Sequence, residues 1–225
     1  MIDTPTAAEP LAVLCSGGLD SAVLLGESLE LHPAVHPIYV RTGSAWEEVE
    51  RACLGRFLAA VARPALRPLV VLDQPVTDLY GAHWSVTGQG VPDHDSPDAA
   101  VFLPGRNVLL LAKPLLWCHL NGVPQLALAP LAANPFPDAT PEFFSAFQDV
   151  VNRAVGGRLT IHWPYLNLKK TDVIRRGRRL PLEYTFSCIR PVACRHCGAC
   201  NKCAERHRAF AEAGVPDPTT YHSPD

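Results

Sequence analysis

Two groups of residues have the types and spacing to do chemistry, and the first is a glycine-rich hexapeptide near the N-terminus. It follows the apolar run at residues 11–15 and consists of Ser16, Gly17, Gly18, Leu19, Asp20 and Ser21. A turn from a strand into a helix directs backbone N–H groups and the positive end of the helix dipole at one point, which suits an anion. Glycines permit close approach, and the serine hydroxyls add donors. The hexapeptide therefore predicts a phosphate-binding loop, although an ordinary glycine-rich turn has the same composition.

The second group is a cysteine cluster near the C-terminus. Five of the eight cysteines lie there, namely Cys188, Cys194, Cys197, Cys200 and Cys203. In a chain without an export signal, such spacing favours a metal over disulfides. Zinc takes four thiolates, which leave no open position for water, so we expect a structural zinc site. An iron–sulfur cluster is the alternative, although its fourth cysteine usually lies farther along and precedes proline. Spacing alone leaves open whether Cys188 or Cys194 is the fourth ligand.

Composition and charge exclude several classes of protein. The 225 residues include 20 Lys and Arg against 22 Asp and Glu, a net charge of -2, so the chain has no basic field that would hold nucleic acid by charge alone. The apolar runs are far shorter than the ~20 residues of a membrane span. The first ten residues show no basic stretch followed by a long apolar core, so we expect a cytoplasmic protein.

The elements that must position these residues alternate between strands and helices. Apolar runs predict strands at residues 11–15, 35–40, 66–72, 125–131 and 159–163, with helical periodicity between most of them. Such alternation predicts an α/β fold with a doubly wound, mostly parallel five-stranded sheet. Residues 74–100 lack periodicity and are expected to form a loop over a site. We expect two units, residues 1–182 with the phosphate loop and residues 183–225 with the cysteines.

Four motifs occur in an order that resembles a known family. The hexapeptide resembles the pyrophosphate loop of the N-type ATP pyrophosphatases. It is followed by Leu-Pro-Gly-Arg-Asn at residues 103–107, Asn-Pro-Phe-Pro-Asp at 134–138, and Ser-Cys at 187–188 before the other cysteines. This series resembles the 7-cyano-7-deazaguanine synthase (QueC) family over nearly the whole chain. The resemblance implies an adenine nucleotide alpha hydrolase-like fold. It also implies conversion of 7-carboxy-7-deazaguanine to its nitrile with ATP and ammonia, through an adenylate and an amide, on the path to queuosine.

The resemblance also implies roles for individual residues. The loop would hold ATP together with Arg106 and Asn107, and Mg²⁺ is implied by the nucleotide. Catalysis is expected of Ser16, Asp20, Ser21 and Lys170, and substrate binding of Phe136 and Asp138. The family's zinc ligands match Cys188, Cys197, Cys200 and Cys203, which leaves Cys194 without a role. From the residues alone, Arg106 and Lys170 also fit solvated helix starts, and Asp138 also fits a turn.

The chain departs from the family in its substrate half. Ala139 and Thr140 stand where the family usually has Cys and Arg, and residues 39–47 differ from its Tyr-Gly-Gln-x-His stretch. The nucleotide half is kept better than the substrate half. The resemblance therefore implies the activation chemistry, with release of AMP and pyrophosphate, but does not fix the identity of the acid. One alternative is a paralogue that joins the activated acid to another amine, such as a protein's, as in anti-phage gene sets. Another is a zinc-containing tRNA-modifying or RNA-binding protein. The expected partners are a small carboxylate and ammonia; the oligomeric state is open, with a homodimer as one expectation.

Overall fold

A parallel five-stranded sheet forms the centre of the protein. The computed structural model describes residues 6–222, so the outer ends of the two expected units, residues 1–5 and 223–225, lie outside it. The strands lie in the order β3-β2-β1-β4-β5, and every neighbouring pair is parallel. Their bounds are β1 (Leu11–Leu14), β2 (Val35–Arg41), β3 (Val70–Asp73), β4 (Gln125–Ala127) and β5 (Thr160–His162). The doubly wound α/β fold predicted from the sequence is confirmed.

Helices cover both faces of the sheet. They are α1 (Leu19–Leu31), α2 (Glu47–Ala60), α3 (Thr77–Tyr80), α4 (Trp84–Thr87), α5 (Arg106–Leu120), α6 (Pro141–Val155), α7 (Lys170–Gly177) and α8 (Asn201–Ala213). Short 3₁₀ turns occur at Asp98–Val101, Pro137–Ala139 and Leu182–Tyr184. Among residues 6–222, no helix combines the length and the apolar character that crossing a bilayer requires.

Two apolar cores form because successive strand residues point to opposite faces. Leu11 and Val13 of β1 face one core, which α1, α2, α7 and α8 close with residues such as Phe57 and Phe210. Ala12 faces the other core, which α5 and α6 close. The last helix thus adds Phe210 to the main core.

A third cluster of buried residues joins the cysteine region to the start of α2. It includes Trp46, Phe186, Cys53 of α2 and three cysteines of the C-terminal cluster, and Trp84 packs against it. The indole of Trp84 stacks on that of Trp46 at 5.8 Å between ring centroids. The connection at residues 74–100, expected as a loop, therefore contains short helices that pack beside the cysteines. Its Ser96 carbonyl accepts a hydrogen bond from the Asn201 side chain at 2.7 Å.

The third strand begins later than its apolar pattern predicts. Leu66 pairs with Val35 in an isolated bridge, but the continuous strand starts at Val70. Pro68 lies between these two positions and has no backbone N–H to give to a ladder, which is consistent with the break. The carboxyl end of the strand, where it lies near the site, is unaffected.

Candidate active site

The phosphate-loop candidate lies where ligands bind in folds of this kind. The chain runs from β1 to β2 and β3 on one side of the sheet and then crosses to β4 and β5 on the other, so the order reverses between β1 and β4. Doubly wound sheets bind ligands in the crevice at the carboxyl ends of the strands at such a reversal. Ser16 follows β1, Pro130 follows β4, and both line a cavity of about 470 Å³.

Hydrogen bonds that involve Ser16 and Ser21 stabilise the conformation of the loop. The Ser16 N–H donates to Ser21 Oγ at 3.2 Å, the Gly18 N–H donates to Ser16 Oγ at 3.3 Å, and Ser21 Oγ donates to the Gly18 carbonyl at 3.1 Å. Gly18 precedes α1, and no side chain in the described part of the chain caps the helix there. The N–H groups at the start of α1 are therefore suited to an anionic ligand, as the sequence predicted.

Gly17 is required in this loop on two grounds. Its φ is +72°, in the left-handed region that side chains disfavour. A Cβ at this position would lie 2.9 Å from the Glu50 carbonyl oxygen and 3.0 Å from Glu50 Cγ. The Gly17 carbonyl also accepts a 2.8 Å hydrogen bond from the Phe186 N–H, so the cysteine segment is bonded directly to the loop.

Asp20 and Lys170 form an ion pair in the wall of the cavity, within a series of four charged side chains. Lys170 Nζ lies 2.6 Å from Asp20 Oδ2 and 3.2 Å from Glu205 Oε1, and Lys202 Nζ lies 2.7 Å from Glu205 Oε2. Burial of Lys170 favours the neutral amine, but the two carboxylates outweigh it and raise the pKa of Lys170 above its ordinary value. The structure therefore brings together two predicted catalytic residues and adds two that the sequence did not indicate.

The second oxygen of Asp20 has the character of a ligand position. Asp20 Oδ1 is buried and has no hydrogen-bond partner among residues 6–222. A buried carboxylate oxygen normally has a partner, and a hard cation such as Mg²⁺ prefers oxygen ligands. This atom therefore fits a hard cation such as the Mg²⁺ expected from the sequence.

Arg106, Asn107 and Asp138 form a second group of predicted residues. Arg106 begins α5 and lines the cavity. Asp138 is 8% exposed; its Oδ2 accepts a 2.9 Å hydrogen bond from the Asn107 N–H, and its carbonyl accepts a 2.8 Å bond from the Asn107 side chain. Phe136 lines the cavity, whereas Asp138 is not among its lining residues. The observed contacts of Asp138 therefore fix the start of α5 beside Arg106.

A smaller cavity of about 200 Å³ adjoins the first at the loop. Its walls include the ends of β1 and β2 and the first turns of α5, and it shares Ser16, Asp20, Glu50 and Arg106 with the larger cavity. Two neighbouring spaces that meet at a phosphate loop suit two reactants, one of them a nucleotide.

Glu50 stands in the wall that both cavities share. Its Oε2 accepts a 2.6 Å hydrogen bond from the Tyr39 hydroxyl. Burial raises the pKa of Glu50 to about 7, although the bond from Tyr39 and the charge of Arg106 act in the opposite direction. This carboxyl group can therefore change its protonation state near neutral pH.

Four cysteines converge in a geometry that fits zinc. The Sγ atoms of Cys188, Cys197, Cys200 and Cys203 all lie within 4.8 Å of one another, and the 188–200 and 197–203 pairs are each 3.9 Å apart. Zn–S bonds of ~2.3 Å in a tetrahedron require sulfur atoms about 3.8 Å apart. The Arg190 and Cys197 N–H groups each lie 3.3 Å from Cys188 Sγ, and such donors favour a thiolate.

Comparisons with known proteins agree with this geometry. The family model described as "Queuosine biosynthesis protein QueC" matches residues 11–214. The chain belongs to the QueC family. A 7-cyano-7-deazaguanine synthase of Xanthomonas oryzae pv. oryzae (strain PXO99A) is 36% identical over 93% of this chain and 96% of its own length. A 7-cyano-7-deazaguanine synthase of Methylococcus capsulatus is 33% identical over 96% of this chain and 100% of its own length.

One solved structure matches this QueC chain at low identity. It is a 4-thiouridine synthetase–RNA complex with bound ATP. The sequence identity is 14%, the match covers 92% of this chain and 50% of that chain, and the TM-score is 0.47. The curated relatives carry the synthase name, so the paralogue and RNA-binding alternatives are not favoured.

The cysteine cluster of this QueC chain leaves out Cys194. That residue is exposed and has φ +60°, while Cys188 is buried, as are Cys200 and Cys203, and its Sγ lies within 4.8 Å of those of the other three members of the cluster. The geometry thus selects between the two candidates that spacing alone could not separate.

The departures from QueC motifs have local structural roles. Thr140 Oγ1 accepts a 3.2 Å hydrogen bond from the Phe143 N–H and thereby caps α6, and Ala139 is buried in the second core. Threonine is a favoured helix N-cap. Both side chains therefore stabilise the local fold around the substrate loop.

Proposed function

We propose that this protein is an ATP-dependent carbon–nitrogen ligase that makes 7-cyano-7-deazaguanine (preQ0) from 7-carboxy-7-deazaguanine and ammonia, in the synthesis of queuosine. ATP would be cleaved to AMP and pyrophosphate. The observation that carries the proposal is the meeting of the loop, Lys170 and Arg106 around one cavity, in a chain that belongs to the QueC family over residues 11–214. We further propose that the enzyme works in the cytoplasm.

The chemistry requires two activations. Conversion of a carboxylic acid and ammonia into a nitrile removes both carboxyl oxygens. In the first step a carboxylate oxygen attacks the α-phosphorus, the α–β anhydride breaks, and pyrophosphate leaves; ammonia then displaces AMP, which carries that oxygen away, and loses a proton. In the second step the amide oxygen attacks another α-phosphorus in the same way. Loss of AMP and two N–H protons then leaves the nitrile.

The residues of the loop and the cavity would orient this attack and balance its charge. The backbone N–H groups of residues 16–18 and the start of α1 would hold the leaving pyrophosphate. Lys170 and Arg106 would stabilise negative charge that develops at the α-phosphate. Asp20 would hold Mg²⁺, which when bound would supply positive charge that offsets the charge of the phosphates.

At the substrate end, we propose that Phe136 packs against the deazaguanine ring and that Asp138 accepts hydrogen bonds from its edge. Phe136 lines the cavity and stacks with Phe102 at 5.0 Å between centroids, so an aromatic surface lies next to the loop. Asp138 follows Phe136 by two residues; it does not line the cavity in this structure, so a ligand would reach its carboxylate only after a local adjustment of this segment. Its bond to Asn107 leaves further acceptor capacity on the carboxylate for a ligand.

We propose a structural role for zinc, held by Cys188, Cys197, Cys200 and Cys203. Bound there, the ion would join residues 188–197 to the start of α8. All four positions around it are filled by sulfur, so this site would not activate a water molecule.

The test is incubation of the purified protein with 7-carboxy-7-deazaguanine, ATP, Mg²⁺ and ammonium, followed by mass spectrometry of the products. We expect the nitrile together with two AMP and two pyrophosphate per molecule formed. ADP and phosphate as products would overturn the pyrophosphatase mechanism. Formation of AMP with another carboxylate but not with this acid would overturn the choice of substrate. Lys170→Met serves as the matched control, with a much lower but measurable rate expected.

A further inference from the structure

The ion pairs around Lys170 include one partner that the proposed chemistry does not use. Asp20 belongs to the phosphate loop, whereas Glu205 comes from α8, near the other end of the sequence. All three side chains are largely buried, with Lys170 22%, Asp20 23% and Glu205 25% exposed. Charge pairs in such surroundings are less screened than pairs on the surface.

The two carboxylates constrain where the ammonium group can point. A lysine ammonium has three N–H donors in a tetrahedral arrangement. Asp20 at 2.6 Å and Glu205 at 3.2 Å use two of them, so the position of Nζ is fixed from two sides. Lys170 also lines the large cavity, and the third donor remains for an oxygen atom of a molecule bound there.

Glu205 gives the Lys170 ammonium a second carboxylate partner besides Asp20. With Asp20 as its sole carboxylate partner, the ammonium would be drawn entirely toward the loop. It would then compete with a cation for the Asp20 carboxylate. Glu205 is itself held by Lys202 at 2.7 Å, and this lysine follows Cys200 and Asn201 in the first turn of α8. The anchor is thus part of the rigid start of that helix.

We propose that Glu205 is a positioning residue for Lys170, which it holds so that the ammonium can bind the reacting phosphate while Asp20 remains available to a cation. This proposal deepens the proposed function and rests on it for its kinetic consequence. The contact itself can be tested without any turnover.

The kinetic test is the Glu205→Gln variant, which keeps the shape of the side chain but removes its charge. We expect kcat for AMP release to fall at least about tenfold, because a charge-assisted contact is lost where charge develops, while KM for ATP changes little. Glu48→Gln is the matched control, since it also removes an i,i+3 ion pair, here between the exposed Glu48 and Arg51, neither of which lines the cavity. This control should keep wild-type kcat and KM.

A double-mutant cycle distinguishes positioning from a general effect on α8. In a Lys170→Met background, Glu205→Gln should cause no further loss of the residual rate. An equal fold-loss in both backgrounds would overturn the proposal, because Glu205 would then act independently of Lys170. Zinc content should remain at the wild-type level in Glu205→Gln; loss of zinc together with the rate would likewise overturn it.

The second readout is the reactivity of the Lys170 amine toward acetic anhydride, measured by mass spectrometry with the exposed neighbour Lys169 as internal reference. We expect Lys170 to react more slowly than Lys169 in the wild type and to gain reactivity at least about threefold in Glu205→Gln, because one of its two anchors is lost. An unchanged ratio would overturn the proposal. If the wild type fails to convert the acid while this ratio shifts, the proposed function fails and the positioning contact stands.

Discussion

Substitution of Gly17 by alanine tests whether the loop must touch α2. The residue adopts φ +72°, and the left-handed conformation costs a residue with a Cβ about 1–2 kcal/mol. The new Cβ would also lie 2.9 Å from the Glu50 carbonyl oxygen, which belongs to a helix backbone and cannot turn away. Such overpacking adds about 1–3 kcal/mol. We therefore expect Gly17→Ala to lower the free energy of unfolding by about 2–5 kcal/mol.

The matched control is Gly156→Ala, at the C-terminal cap of α6. Gly156 has φ +62°, but a Cβ added there would have no atom within 4 Å, so the change adds strain without a clash. At roughly 2–4 °C per kcal/mol for a chain of this size, we expect a melting temperature lower by a few degrees for Gly156→Ala and by on the order of 10 °C for Gly17→Ala. Calorimetry measures both.

The rate of AMP release should differ between the two variants more than their melting temperatures do. A displaced loop moves the phosphate-binding N–H groups, and a shift of about 1 Å costs on the order of 100-fold in rate. We expect this loss of AMP release in Gly17→Ala at a temperature where it is folded, and wild-type rates in Gly156→Ala. Equal melting temperatures and equal rates in the two variants would refute the requirement for close contact between the loop and α2.

Three further measurements test the rest of the site. Metal analysis should find about one zinc per chain, lost in Cys200→Ser and retained in Cys194→Ser; iron in place of zinc would contradict the assignment. Burial raises the pKa of Glu50 from its ordinary value of 4.5 to about 7, so the folded state holds a proton that the unfolded state releases between these values. The free energy of unfolding should therefore fall as pH rises through this window, and urea titrations of Glu50→Gln should show a flatter profile; an unchanged profile would exclude Glu50 as the cause. Asp138→Ala leaves the Asn107 N–H without its acceptor, so we expect a loss of about 1–3 kcal/mol in stability and weaker binding of the acid by calorimetry; wild-type affinity for the acid would contradict its substrate role.

The sequence predicted those parts of the site that depend on local pattern. The phosphate loop was predictable because its glycines and serines are consecutive, and the parallel sheet because strands and helices alternate. The fourth zinc ligand could not be predicted from the spacing, because Cys188 and Cys194 are the same type of residue. Only the path of the backbone decides which of them lies beside the other three cysteines. The resemblance assigned Cys188, and the geometry agrees.

Contacts between residues that lie far apart in the sequence could not be predicted from sequence patterns. Lys170 and Glu205 are separated by α7, a turn and the cysteine segment, and only the packing of α8 on α7 brings them together. Glu50 shows no distinguishing neighbours in the sequence, and its bond to Tyr39 depends on how α2 lies over β2. Asp138 was predictable as a residue of interest, but its bonds to Asn107 were not.

The hydrogen bond from the Phe186 N–H to the Gly17 carbonyl sets an order for biosynthesis. The ribosome makes Gly17 well before Phe186 and the last cysteine of the cluster, Cys203. Chains emerge N-terminus first, so the loop lacks this bond until the cysteine segment has been made. The site that cleaves ATP can close only after that segment has emerged, and a chain released before that point would lack it.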